Sequence, residues 1–107
     1  MPDSAWKQLE RSVADLIGGK RLPANSGHAI DCESAGFVAQ AKLVQRMSLD
    51  ELTALAEKIA QEGLIRNKLG VVGVKVRRGA GVKSPVLVVM TDETFKTLLG
   101  YTRVDHA

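Results

Sequence analysis

The sequence of 107 residues has little of what several common kinds of site are built from. It holds a single cysteine, Cys32, which makes no intramolecular disulfide, and no Cys/His cluster has zinc-finger spacing. Four aromatics, Trp6, Phe37, Phe95 and Tyr101, argue against a sheet that binds nucleic acid by stacking bases. No apolar run approaches the roughly 18 residues needed to cross a bilayer, so no membrane partner is expected. Met1 to Trp6 lacks a basic region followed by an apolar run, so no secretory signal is read there. A reducing, cytoplasmic setting is the expectation. With 45% hydrophobic and 25% charged residues, what is present is the composition of an ordinary globular chain. Its length suits one compact domain, residues 1–107, around a single core.

The net charge of +3 is unevenly distributed. Residues 1–62 carry seven bases and nine acids, and residues 92–107 two bases and three acids. Between them, Arg66, Lys68, Lys75, Arg77, Arg78 and Lys83 stand in a segment without an acid. Such a segment reads either as a phosphate-contacting surface or as a solvated hairpin.

Trp6, Leu9, Val13, Leu16 and Ile17 recur at helical spacing and predict a helix over Ser4–Ile17, capped by Asp3 or Ser4 and ended by Gly18-Gly19. Lys20 to Gly27 reads as a polar, turn-rich stretch. Two short strands are expected near His28–Glu33 and Phe37–Leu43, joined by a turn at Ser34-Ala35-Gly36. Ser48 and Glu51 form a capping box. The helix it opens is expected to bury Leu49, Leu52, Leu55, Ala56, Ile59 and Ala60 and to end by Gly63. Strands follow at Val71–Val76 and Val86–Met90, with a hairpin tip at Gly79-Ala80-Gly81. A last short helix, capped by Thr91 or Asp92, is expected to end at Gly100. The order predicts an α/β domain with helices against a mixed central sheet.

Chemistry concentrates between Asp31 and Lys42. Strand side chains alternate, so Gln40 and Lys42 share a face of one strand, and Asp31 and Glu33 a face of the one before. In an antiparallel hairpin these four polar groups converge, with Val38 beside them and Phe37, Ala39, Ala41 and Leu43 turned to the core. A hard divalent cation takes oxygen ligands, which Asp31, Gln40 and the backbone carbonyl after Gln40 supply. Lys42 is placed to offset charge during phosphodiester cleavage. Glu10, on the inward side of the first helix, is a further candidate carboxylate, and Glu33 another.

Asp31 followed by Gln40-Ala41-Lys42 resembles the Asp…(Asp/Glu)-x-Lys signature of the PD-(D/E)xK nuclease superfamily. Phe37 to Lys42 looks like the glutamine-bearing version found in Mrr-type restriction endonucleases. The run Glu10-Arg11…Leu16…Gly19…Arg21…Pro23…Ser26-Gly27…Asp31 is similar to archaeal Holliday-junction resolvases. The resemblance spans roughly Ser4 to Met90. It implies a restriction-endonuclease-like α-β-β-β-α-β core and a Mg²⁺- or Mn²⁺-dependent endonuclease acting as a homodimer on branched DNA. By the same resemblance Asp31, Gln40, Lys42 and Glu10 are its catalytic residues. Metal ligands would be Asp31, Gln40 and Glu10, with Glu33 as a further possibility. Lys20, Arg21, Ser26, Arg46, Lys75, Arg77, Arg78 and Lys83 are the expected DNA contacts. Gln40 stands where the signature has a carboxylate, which removes one negative charge from the cation's ligands.

Plainer readings stay open. Glu10 and Glu33 also suit solvated acids, Ser26 a turn, His28 an exposed imidazole and Cys32 a small buried hydrophobe. Gly79-Ala80-Gly81 lacks the strand and helix context of a P-loop. The whole chain also reads as a non-catalytic nucleic-acid-binding module, or as a protein-interaction domain whose basic hairpin meets an acidic partner.

Overall fold

The structure is a computed structural model that describes residues 4–23, 30–79 and 81–103. Its elements are α1 (Ala5–Leu16), β1 (Lys20–Arg21), β2 (Cys32–Glu33), β3 (Phe37–Val44), α2 (Leu49–Ile65), β4 (Leu69–Val76), β5 (Val86–Val89) and α3 (Asp92–Arg103). The five strands form one mixed sheet in the order β1-β2-β3-β4-β5. β3 and β4 run parallel, with α2 as the crossover between them, and every other neighbouring pair is antiparallel. No helix among the described residues is long and apolar enough to cross a membrane.

Local chemistry explains most boundaries. Ser4 occupies the N-cap of α1 without a side-chain cap bond, and Gly18 ends that helix region at φ 70°. Ser48 caps α2, its hydroxyl accepting from the Glu51 N–H at 3.1 Å. Thr91 does the same for α3 through the Thr94 N–H at 3.2 Å. The turn after β2 is closed from both sides: Ser34 N–H donates to the Phe37 carbonyl and Phe37 N–H to the Ser34 hydroxyl.

Helices cover both faces of the sheet. On one face Leu9, Val13 and Ala14 of α1 pack on Cys32, Ala39 and Val71, with Phe37, Ala41 and Leu43 at the margin. On the other, Ile59 of α2 packs on Ile30, Val38, Val72 and Val74, with Leu52, Leu55 and Val44 around them. This corrects the expected polar face of β3. Val38 is fully buried, because α2 lies over its half of the strand. Only the stretch beyond it, at Gln40 and Lys42, is left for polar groups.

Four other expectations change. Lys20–Arg21, read as part of a turn, pairs with β2 as a short strand. The strand placed at 28–33 is reduced to Cys32–Glu33 within the described residues, and His28 lies outside them. Leu49, expected in the core, is 80% exposed because the first turn of α2 has not yet reached the sheet. Finally, neither Gly63 nor Gly100 ends its helix. α2 runs on to Ile65 and α3 to Arg103. Gly63 is needed where it is because a Cβ there would sit 2.6 Å from the Lys68 carbonyl oxygen and 2.9 Å from the Gly70 nitrogen. The glycine marks a close approach between helix and returning strand.

Candidate metal and phosphate site

Asp31 is held at three points. Its carbonyl accepts from Leu22 N–H at 2.8 Å and its own N–H donates to the Ala39 carbonyl at 2.9 Å. Its carboxylate oxygen Oδ2 accepts from Ala41 N–H at 2.8 Å. β2 proper covers β3 only at Val38 and Ala39. Beyond that point the side chain of Asp31 takes over the role of a strand neighbour. A carboxylate is thereby fixed against the backbone of the residue between Gln40 and Lys42, with its second oxygen outside this bond. In a strand the N–H and C=O of one residue point to the same edge, so the Ala41 carbonyl faces the Asp31 side as well.

Gln40 and Lys42 are two apart on β3 and are partners of Val72 and Val74 in the parallel ladder. Both are half-buried. Neither has a hydrogen-bond or ion-pair partner among the described residues, and neither polar end is sealed from solvent. The Asp31 carboxylate thus meets β3 at the residue between Gln40 and Lys42, whose side chains share one face of the strand, while Glu33 is drawn away to Lys68.

The other acids are engaged elsewhere. Glu10 Oε1 receives both Nε and Nη2 of Arg21, at 3.0 and 2.9 Å. Glu33 Oε2 lies 2.9 Å from Lys68 Nζ and 3.9 Å from Arg66 Nε, drawn to the corner between α2 and β4. Among the described residues no group of three or more His, Cys, Asp or Glu side chains is assembled. Cys32 is buried on the α1 face, its thiol donating to the Glu10 carbonyl at 3.2 Å. Burial above all, then the charges of Asp31 and Glu10, push its pKa from 9.0 up to about 12 against the opposing pull of Arg21. It is a core group and no nucleophile.

The acid-free basic segment divides. Arg66 and Lys68 are spent on Glu62 and Glu33. Lys75, Arg77 and Arg78 line an open cleft of about 260 Å³ with Gln8 and Ser12 of α1 and Ser84. Lys75 pairs in register with Leu43, hence on the α1 face, whereas Lys42 belongs to the other face. Arg78 Nη1 donates to the Lys83 carbonyl at 3.2 Å. Lys20, Arg46 and Lys83 are exposed, and Arg21 is committed to Glu10. Ser26 lies outside the described residues.

What the sequence concealed here is the Ala41 N–H, a backbone donor with no side-chain signal. It also concealed the clamp on Glu33, whose partner Lys68 is 35 positions away. Among the ion pairs of the described residues, Glu62–Arg66 carries a readable i, i+4 spacing.

The donors at Asp31, Gln40 and Ala41 are all oxygens, the chemistry a hard divalent cation takes. They contribute one formal negative charge, so a Mg²⁺ or Mn²⁺ would be held weakly there and would complete its shell with water or an external oxygen ligand. No protein-family model, curated protein or solved structure matches this chain.

Proposed function

We propose that the chain is a metal-dependent DNA endonuclease that hydrolyses phosphodiester bonds in branched or otherwise structured DNA, on a restriction-endonuclease-like core. The observation that carries the reading is the carboxylate of Asp31 fixed on the Ala41 N–H, on the strand of Gln40 and Lys42, whose side chains have no partner among the described residues. The element order α-β-β-β-α-β supports it, as does the resemblance of Asp31, Gln40 and Lys42 to the PD-(D/E)xK signature.

Asp31, Gln40 and the Ala41 carbonyl would hold Mg²⁺ or Mn²⁺. Such an ion polarises a phosphoryl oxygen and lowers the pKa of a bound water. Three bonds pin Asp31, so its free oxygen needs no reorganisation to receive a ligand. Lys42 brings an ammonium to the phosphate and offsets the charge that builds up in the transition state. Glu10 is paired with Arg21, which is in register with Cys32 on the α1 face, so neither joins Gln40 and Lys42 on the opposite face. One such site cuts one strand, so paired cuts call for two copies.

The test is cleavage of labelled linear, nicked, flapped and four-way-junction DNA with Mg²⁺, Mn²⁺ or EDTA. The expected result is metal-dependent cutting that falls at least a hundredfold in Asp31→Ala and in Lys42→Ala. Absence of cutting on every substrate contradicts the reading. One observation favours a second reading, a DNA-binding module without cleavage: Glu10 and Glu33 are both neutralised by cations, leaving a single acid at the site. Salt-sensitive binding of the same DNAs without cutting would select it.

A further inference from the structure

We propose that β5 is a self-association edge, pairing antiparallel with β5 of a second copy to join two sheets into one. The inference does not rest on the nuclease reading. β5 is the last strand of the sheet, and among the described residues nothing pairs with its outer side. Its sequence, Val-Leu-Val-Val, carries no charge. Natural edges are usually guarded by lysine, an inward charge, a bulge or a covering helix. Here Pro85 bounds the strand at its entry and no other guard is present within it.

Val86 and Val89 pack at the margins of the two core clusters, but the middle of the strand is left uncovered. Leu87 shares the face of Val74 and Val88 the face of Gly73, so the two point to opposite sides of the sheet. They are 50% and 49% exposed. Immediately after the strand, Phe95 and Leu99 of α3 are exposed one turn apart.

Charge complementarity selects a second copy, and selects its direction. The strand enters past Lys83 and leaves into Asp92 and Glu93, all three exposed. A parallel neighbour would set like charges together. An antiparallel copy sets the basic entry of one strand against the acidic exit of the other. Antiparallel neighbours related by a twofold lie about an axis normal to the sheet, so each residue pairs with one of its own face. The pairing then centres on Leu87 or on Val88. In either register the segment that carries Lys83, just before β5, runs alongside the partner's exit toward Asp92 and Glu93. There the carboxylates and the helix dipole differ in sign, but Asp92 and Glu93 carry the full charge.

Light scattering on the intact chain at tens of micromolar tests this, with circular dichroism as a check on folding. The expected mass is twice that of the chain. Val88→Lys places a charge on the exposed edge and is expected to weaken association at least tenfold while leaving the spectrum unchanged. Lys83→Glu is expected to weaken it several-fold, and adding Glu93→Lys to that variant to restore it. Hydrogen exchange supplies a second readout: the outward amides of β5 become protected as concentration rises. A wild-type chain that stays monomeric overturns the proposal. So does a dimer that survives Val88→Lys unchanged, or a charge swap that fails to restore association. Because none of these readings involves cleavage, failure here leaves the endonuclease reading standing, and the reverse.

Discussion

Asp31 does two jobs that a single substitution confounds. Its carboxylate satisfies the Ala41 N–H at 2.8 Å and also brings an anionic oxygen to the strand of Gln40 and Lys42. Asp31→Ala leaves that donor without its partner and is expected to lower stability by about 1 kcal/mol, read as a shift of the denaturation midpoint. Asp31→Asn keeps an oxygen acceptor and is expected to hold the wild-type midpoint while losing the charge a cation needs. Equal loss of stability in both variants would show that the Ala41 contact is not made through an oxygen of this side chain. Cys32 makes a separate prediction. Its thiol is raised from 9.0 to about 12 in the fold, first by burial, then by Asp31 and Glu10. The neutral form is therefore favoured by the folded state: its stabilisation is complete below pH 9 and is lost as pH climbs toward 12. Denaturation midpoints should fall across that window in the wild type and fall less in Cys32→Ala. The residue types of the site were legible in the sequence because strand alternation ties Gln40 to Lys42. The neutralisation of Glu10 and Glu33 was not, since it depends on Arg21 and Lys68 meeting them through the tertiary fold.

At the scale of elements, glycine is where reading and structure part. Gly63 and Gly100 look like helix stops, yet both lie inside their helices. A glycine that permits a positive φ and a glycine that permits close packing are identical in sequence. Gly18, at φ 70°, is the first kind. Gly70 is the second: a Cβ there would run into the Ile59 carbonyl of α2, a backbone group that has no rotamer to escape by. Gly70→Ala is accordingly expected to cost about 3 kcal/mol, the upper end for overpacking, measured by urea denaturation. A cost near zero would mean that α2 does not sit this close to β4. The capping box at Ser48, the cap at Thr91 and the long strands β3 and β4 were legible because each carries a strong local signal. β1, two residues long, has no period to display, and it was the pairing with β2 that made it a strand.

For the whole molecule, the sheet order decides what the site is. The parallel β3–β4 pair needs α2 as a crossover, and α2 covers Val38 on the way. The polar face imagined from alternation alone is reduced to the ground between the end of β2 and Lys42. The same geometry sends the basic hairpin's Lys75 and Arg77 toward α1, away from the Lys42 face. One flat surface of the sheet therefore does not carry both groups of cations. Charge counts along the chain identified the basic segment but not this division, which follows from which strand face each lysine occupies.

The central claim is that Asp31, Gln40 and Ala41 form a cation site, and it is tested most directly without a substrate. Titrating Mn²⁺ into isotopically labelled protein and following the amide signals locates the ion by the resonances it broadens. The account predicts that Asp31 and Ala39 to Lys42 broaden first, that Asp31→Asn abolishes the effect, and that Gln40→Glu brings it on at lower Mn²⁺. Broadening centred elsewhere, or unchanged by Asp31→Asn, would contradict it.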